Sequence, residues 1–348
     1  MSLPRNQNIE WISNLRFVSL FAVVMLHASA VLLSLYGKVP FADWFTADVF
    51  NALVRFAVPV FVMITGALNL GKDYELGDFL KKRLSRIVTP FLFWSLIFIG
   101  YSWYNEEISF DNDTWTNVKL VLHQLKYGSS YHLWYVYMLI GLYLFMPVIN
   151  KFIKAATERE IQYFLLLWLV IMLLKQPYLS RFKPAVEFRY FEGYLGYLVL
   201  GYYLANEEFK QKHLKPLLLL AFVVLVAIIS VGTYLVTLHN YTTTIFYEPL
   251  GPFIVCLSVS LFIFFKQSTI VLPKFLTAIR DFTGKYAYGV YLCHALFLYL
   301  LDLWGNISYK LCAPVVSIPL TVVLCVTLSI FTIWLLNKVP FVGKYIAG

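Results

Sequence analysis

The chain has 348 residues, of which 60% are hydrophobic, 18% aromatic and only 14% charged, with a mean hydropathy of +0.71. Soluble domains carry about 25% charged residues, so lipid is the main solvent here and a soluble enzyme is excluded. The formal charge of +9 does not point to nucleic acid, because the basic residues cluster in short loops between apolar runs and not along one soluble face.

The first apolar run, Phe17 to Leu26, is followed by Ala28-Ser29-Ala30, which imitates a signal-peptide cleavage site. The preceding residues carry little charge and apolar character continues past Leu33, so residues 11–36 are expected to be a retained helix. Apolar stretches of roughly 20 residues predict further spans at 46–70, 87–104, 132–150, 161–176, 188–205, 215–237, 246–265, 281–303 and 312–337. The expected fold class is an all-α polytopic bundle of about ten transmembrane helices forming one membrane-embedded domain over residues 1–348.

An even number of spans puts both termini on one side. With the N-terminus cytoplasmic, and with the span-end residues Lys175, Arg189, Lys215 and Lys285 counted with the loops they adjoin, the cytoplasmic side collects 18 of the 28 Lys and Arg residues and the outer side 8, while Arg16 and Arg55 fall within spans. That asymmetry predicts both termini inside. The one long loop, 105–131, carries Glu106, Glu107, Asp111 and Asp113 and is outer in this topology, as are three N-x-S/T triplets starting at Asn112, Asn240 and Asn306. Cys256, Cys293, Cys312 and Cys325 have no metal-ligand spacing and read as small apolar residues. No metal site is expected.

The first predicted helix holds Arg16 and His27. An ionisable residue at membrane depth costs roughly 2.5–3.5 kcal/mol on insertion scales. Eleven residues at about 100° each bring both side chains to nearly the same face, roughly 16 Å apart along the axis. Arg16 then lies near the cytoplasmic end and His27 deeper. This suits a long anionic donor entering from the cytoplasm with its reactive end at His27, where imidazole is well tuned for proton transfer. The alternative is that Arg16 snorkels to the interface and His27 bonds a neighbouring helix.

The sequence resembles the acyltransferase 3 family of membrane acyltransferases. Arg16 and His27 match its motif of arginine, ten residues and histidine, and the likeness runs through Val58–Gly66, Arg83-Leu84-Ser85-Arg86, His132-Leu133-Trp134-Tyr135 and Tyr288–His294. The resemblance implies a cytoplasmic acyl-CoA donor, most simply acetyl-CoA, as co-substrate with no permanently bound cofactor. It also implies a hydroxyl acceptor, often a glycan or lipid-linked sugar, and a place in the bacterial inner membrane. Two positions depart from the family pattern: Ser13 stands where Asp is frequent and Phe17 where Gly is frequent. The first change removes a carboxylate partner for Arg16 at i to i+3 spacing.

Further candidates follow. Arg83 and Arg86, one turn apart beside Lys81 and Lys82, are placed to hold the phosphates of CoA, although positive-inside anchoring accounts for the charge equally well. His132 and Trp134, where the outer loop enters the fourth span, are candidate acceptor contacts, with interfacial anchoring as the alternative for Trp134. Arg55 and Glu192 are expected to face an internal cavity and bind acceptor, or to be tied up in salt bridges and packing. His294 near mid-span reads as a structural hydrogen bonder. The expected catalytic pair is His27 as general base with Arg16 positioning the donor, and no oxyanion stabiliser is assigned. GxSxG, HExxH, P-loop and GxGxxG patterns are absent from the sequence. The competing class is an exporter, since intramembrane Arg, His and Glu also suit a substrate pathway.

Overall fold

The computed structural model describes residues 7–111, 113–182, 192–240 and 244–348. The described residues form α-helices and short 3-10 turns, with no strand among them. In chain order the helices are α1 (Gln7–Leu33), α2 (Phe41–Val54), α3 (Ala57–Asn69), α4 (Leu76–Tyr104), α5 (Thr114–Tyr127), α6 (Trp134–Ala155) and α7 (Glu158–Leu174). They continue with α8 (Leu195–Asn206), α9 (Leu214–Asn240), α10 (Pro252–Gln267), α11 (Lys274–Gly305), α12 (Pro314–Asn337) and α13 (Gly343–Ile346). Helices satisfy their backbone hydrogen bonds internally, one of the two solutions, with closed β-barrels, open to backbone that cannot bond to water.

Eight segments among the described residues are long and apolar enough to cross a membrane: Glu10–Leu33, Phe41–Asn69, Leu76–Tyr104, Trp134–Ala155, Leu214–His239, Ile245–Gln267, Lys274–Gly305 and Pro314–Asn337. The spans expected at 161–176 and 188–205 correspond to α7, of 17 residues, and α8, of 12, and α8 is well short of the roughly 20 residues a span needs. Residues 188–191 of the latter, and the triplets at Asn112 and Asn240, lie wholly or partly outside the described residues.

The span expected as one run at 46–70 is broken into α2 and α3 at Arg55 and Phe56. Pro59 accounts for the break, since it lacks the N–H that would bond the Arg55 carbonyl and its ring crowds that carbonyl. The expected loop 105–131 contains α5. Asp113 caps this helix by accepting from Thr116 Oγ1 at 2.6 Å and Thr116 N at 2.8 Å. The Thr116 hydroxyl, followed by its backbone N–H, holds the Asp113 carboxyl below the usual carboxylate range.

The chain divides into two compact units. Unit 1 comprises residues 1–72, 148–284 and 306–323. Its tightest pair is α3 against α8, where a Cβ on Gly66 would lie 1.8 Å from Leu198 O and one on Gly201 2.1 Å from Met63 O. The two backbones therefore touch, and only glycine fits at either position. Trp168 of α7 lies over Gly196 of α8 and donates from Nε1 to Gly193 O at 3.0 Å. Asn150 clips the chain after α3, accepting from Gly71 N at 2.7 Å and donating to Lys72 O at 2.8 Å.

Unit 2 comprises residues 73–147, 285–305 and 324–348. Tyr288 donates to Ile87 O at 2.8 Å, tying α11 to α4. Gly289 lets the Ala347 carbonyl approach α11, since a Cβ there would lie 2.0 Å from it.

Gly201→Ala and Gly66→Ala are each expected to cost about 1–3 kcal/mol or more through overpacking, seen as a lowered melting temperature in detergent. Gly100→Ala and Gly141→Ala, where nothing lies within 4 Å of the added carbon, serve as controls. Equal melting of all four variants would show that the α3–α8 contact is looser than described.

Candidate functional site

In unit 1 the predicted pair sits on one unbroken helix. Arg16 and His27 are both half-buried on α1, so the sequence-derived separation of roughly 16 Å along the axis holds. α2 fixes this helix. Asn51, fully buried, donates from Nδ2 to Leu26 O at 3.0 Å and to Ser29 Oγ at 2.9 Å, gripping α1 at the residues flanking His27. Trp44 Nε1 donates to Leu33 O at 2.9 Å one step further along. Toward the other end, Asn14 Oδ1 accepts from Arg280 Nη1 at 2.8 Å, and Arg280 is itself paired with Asp281 at 2.8 Å through both Nε and Nη2.

Arg55 stands at the break between α2 and α3, its guanidinium 4.1 Å from the centre of the Tyr247 ring. Asp48, one face of α2 and seven residues earlier, is fully buried and accepts hydrogen bonds from the hydroxyls of Ser230 and Tyr247. The result is a buried cluster of Asp48, Ser230, Tyr247 and Arg55 that joins α2 to α9 and to the turn before α10. Asp48, Asn51 and Arg280 were not singled out from sequence. For the first two the signal was present: Asp48, Asn51 and Arg55 are spaced three and four apart within an apolar run, on one helical face. Glu192 is paired with Lys175 at 2.5 Å, so its carboxylate meets a salt-bridge partner from the end of α7.

In unit 2, Arg83 on α4 is half-buried, its guanidinium 5.9 Å from the centres of both the Phe79 and Tyr143 rings. Lys81, Lys82 and Arg86 are exposed beside it. Glu75 caps the start of α4 through Asp78 N at 2.7 Å, and that bond draws its carboxyl below the ordinary range. The basic residues thus form an exposed patch around one aromatic-anchored arginine.

His132 is 1% exposed. Its Nε2 lies 3.1 Å from Leu292 O, a pure acceptor, so the proton sits on Nε2 and Nδ1 accepts from the Ser130 hydroxyl at 3.0 Å. Tyr291 donates to His132 O, and the His294 ring lies 4.9 Å away edge to face, with its Nδ1 donating to Tyr291 O at 2.6 Å. His132 is therefore a buried joint between α11 and the start of α6. Trp134 is 43% exposed, with its neighbours Tyr127 and Tyr131 at 67% and 51%. Among the described residues no three His, Cys, Asp or Glu side chains are grouped to hold a metal ion.

These features define an integral membrane protein that keeps ionisable side chains within and beside its apolar helices. Residues 9–337 match the family model described as the acyltransferase domain, that of the acyltransferase 3 family, and the chain belongs to this family. A curated relative from Bacillus subtilis (strain 168), named "Putative membrane-bound acyltransferase YfiQ", is 27% identical over 361 residues, covering 97% of this chain and 94% of that protein. No solved structure matches the chain.

Asp48→Ala removes the acceptor for two buried hydroxyls, at about 1–3 kcal/mol for each one left unpaired. Thermal melting is expected to rank wild type above Asp48→Asn, which keeps an acceptor oxygen, and Asp48→Asn above Asp48→Ala. An Asp48→Ala protein as stable as wild type would show that the cluster does not hold α2 to α9.

Proposed function

We propose that this membrane acyltransferase is an O-acyltransferase, most simply an O-acetyltransferase. In this reading it moves an acyl group from cytoplasmic acyl-CoA to a hydroxyl of a cell-surface or lipid-linked glycan. The observation that carries it is the pair of half-buried ionisable residues, Arg16 and His27, on one continuous helix of a chain that belongs to an acyltransferase family. The chemistry assigns roles directly. His27 takes the proton of the acceptor hydroxyl as its oxygen attacks the thioester carbonyl; the carbon–sulfur bond breaks and the proton passes to the departing CoA thiolate. Arg16 orients the donor, and Arg83, Arg86 and Lys82 engage its phosphates.

Of the side chains considered for the acceptor, Trp134 is 43% exposed and lines the cleft at the start of α6. Arg55 and Glu192 act through their partners Tyr247 and Lys175, and His132 holds Ser130. The excess of basic residues on alternate loops supports a topology with both termini cytoplasmic in a bacterial inner membrane. A glycan acceptor is favoured by the N-terminal run Trp11-Ile12-Ser13-Asn14-Leu15-Arg16, which resembles that of the enterobacterial common antigen O-acetyltransferase.

Calorimetry with acetyl-CoA on the purified protein is expected to show binding that is lost in a folded Arg83→Ala/Arg86→Ala variant. His27→Ala should keep donor binding and lose about 10²- to 10⁴-fold in acyl transfer, the range general-base catalysis supplies. Turnover retained by His27→Ala would overturn its role as base. A wild type that binds neither acetyl-CoA nor longer acyl-CoAs would favour an exporter.

A further inference from the structure

A cleft of about 420 Å³ opens in unit 2 where the end of α4, the end of α5 and the start of α6 converge, within the roughly 300–1,000 Å³ typical of small-ligand sites. Local geometry builds it. Gly128, at φ +109°, stops α5 and turns the chain into Ser129-Ser130-Tyr131. Below that turn His132 accepts from Ser130 and is locked to the Leu292 carbonyl, so the loop forming the floor is anchored to α11. On the facing side, the chain leaving α4 folds back so that Ser102 Oγ donates to Glu107 Oε2 at 2.8 Å, while Glu107 N donates to Ser102 O at 2.9 Å.

The lining has a definite chemistry. Tyr127, Tyr131 and Trp134 bring three aromatic rings to one concavity, together with the Glu107 carboxylate, the Gln124 amide and the hydroxyls of Ser102, Ser129 and Ser130. Aromatic residues serving only as interfacial anchors need no such polar company. Ser129 Oγ is buried without a hydrogen-bond partner among the described residues, a group whose desolvation is offset when a ligand hydroxyl bonds to it. Rings offering apolar faces beside mixed donors and acceptors match a pyranose, which presents C–H patches on its faces and hydroxyls at its edge. The lining includes one carboxylate and neither lysine nor arginine, so an uncharged sugar is favoured over an anionic one.

We propose that this cleft is a binding site for a neutral sugar, which rests on the glycan-acceptor reading above and names where that acceptor docks. The basic residues on the same helix add a geometric reason. Arg83 and Ser102 are 19 residues apart on α4, about 29 Å at 1.5 Å per residue. That is close to the roughly 30 Å hydrocarbon thickness of a bilayer, so the phosphate-holding patch and the cleft mark opposite faces of the membrane.

The test is saturation-transfer NMR on the full chain in nanodiscs free of sugar detergent, with N,N′-diacetylchitobiose as the neutral probe, sialyllactose as the anionic one, and acetyl-CoA binding measured in parallel. The neutral disaccharide should bind in preference to the anionic one, and Tyr127→Ala/Trp134→Ala should weaken it by about tenfold or more while acetyl-CoA binding is unchanged. Glu107→Gln, which removes the only charge of the lining, should narrow the preference for the neutral probe. Equal sugar binding in wild type and the double variant, or no binding of the neutral probe by a protein that binds acetyl-CoA, overturns the cleft and leaves the acyltransferase reading intact. Sugar binding that depends on Tyr127 and Trp134 in a protein that binds no acyl-CoA supports the cleft and overturns that reading instead.

Discussion

The rotational setting of α1 is the constraint on which the candidate chemistry depends. Between helices in lipid there is no hydrophobic force to favour one face over another, because the surrounding chains are as apolar as leucine. Directional contacts must then fix the rotation, and here they come from polar side chains. Asn51 grips the carbonyl of Leu26 and the hydroxyl of Ser29, Trp44 reaches the Leu33 carbonyl, and Asn14 engages Arg280 at the other end. A slip of one residue would turn the helix by about 100° and swing the face shared by Arg16 and His27 away from its present neighbours. α2 thus works less as a span than as the key that holds α1.

That key is itself polar along one side, and the arrangement has a logic of its own. Asp48, Asn51 and Arg55 would each be costly in an apolar setting. Asp48 is met by two hydroxyls and Arg55 by an aromatic face, so the polar side of α2 is spread over α1, α9 and the turn before α10. Polar groups met in this way fix which helices are neighbours and in which register, a specificity that apolar contacts between spans do not provide.

What was legible in the sequence follows the range of the interaction. The relation between Arg16 and His27 is internal to one helix and needs only its pitch, and the helices themselves are legible because apolar runs are local. Pro59 could have been read as the cause of the break at Arg55, and the D-x-x-N-x-x-x-R spacing as a polar face. By contrast, the burial of His132 depends on the carbonyl of Leu292, and the need for glycine at 66 and 201 depends on α3 lying against α8. Neither can be inferred without knowing which segments meet. Glu192 illustrates the same limit, since its charge alone does not reveal Lys175 as its partner.

α4 connects two chemistries that composition alone would merge into a single count of polar residues. Near its start are Lys81, Lys82, Arg83 and Arg86, all cationic, with Arg83 held by the rings of Phe79 and Tyr143. Near its end are Ser102 and Glu107, where the polar groups are neutral or acidic and the neighbours aromatic. A polyanionic donor is attracted to the first end and repelled from the second, whereas an uncharged acceptor gains nothing from the first and finds rings and hydrogen-bonding groups at the second. In the proposed reading, this difference in charge along one membrane-spanning helix would keep donor and acceptor from each other's site.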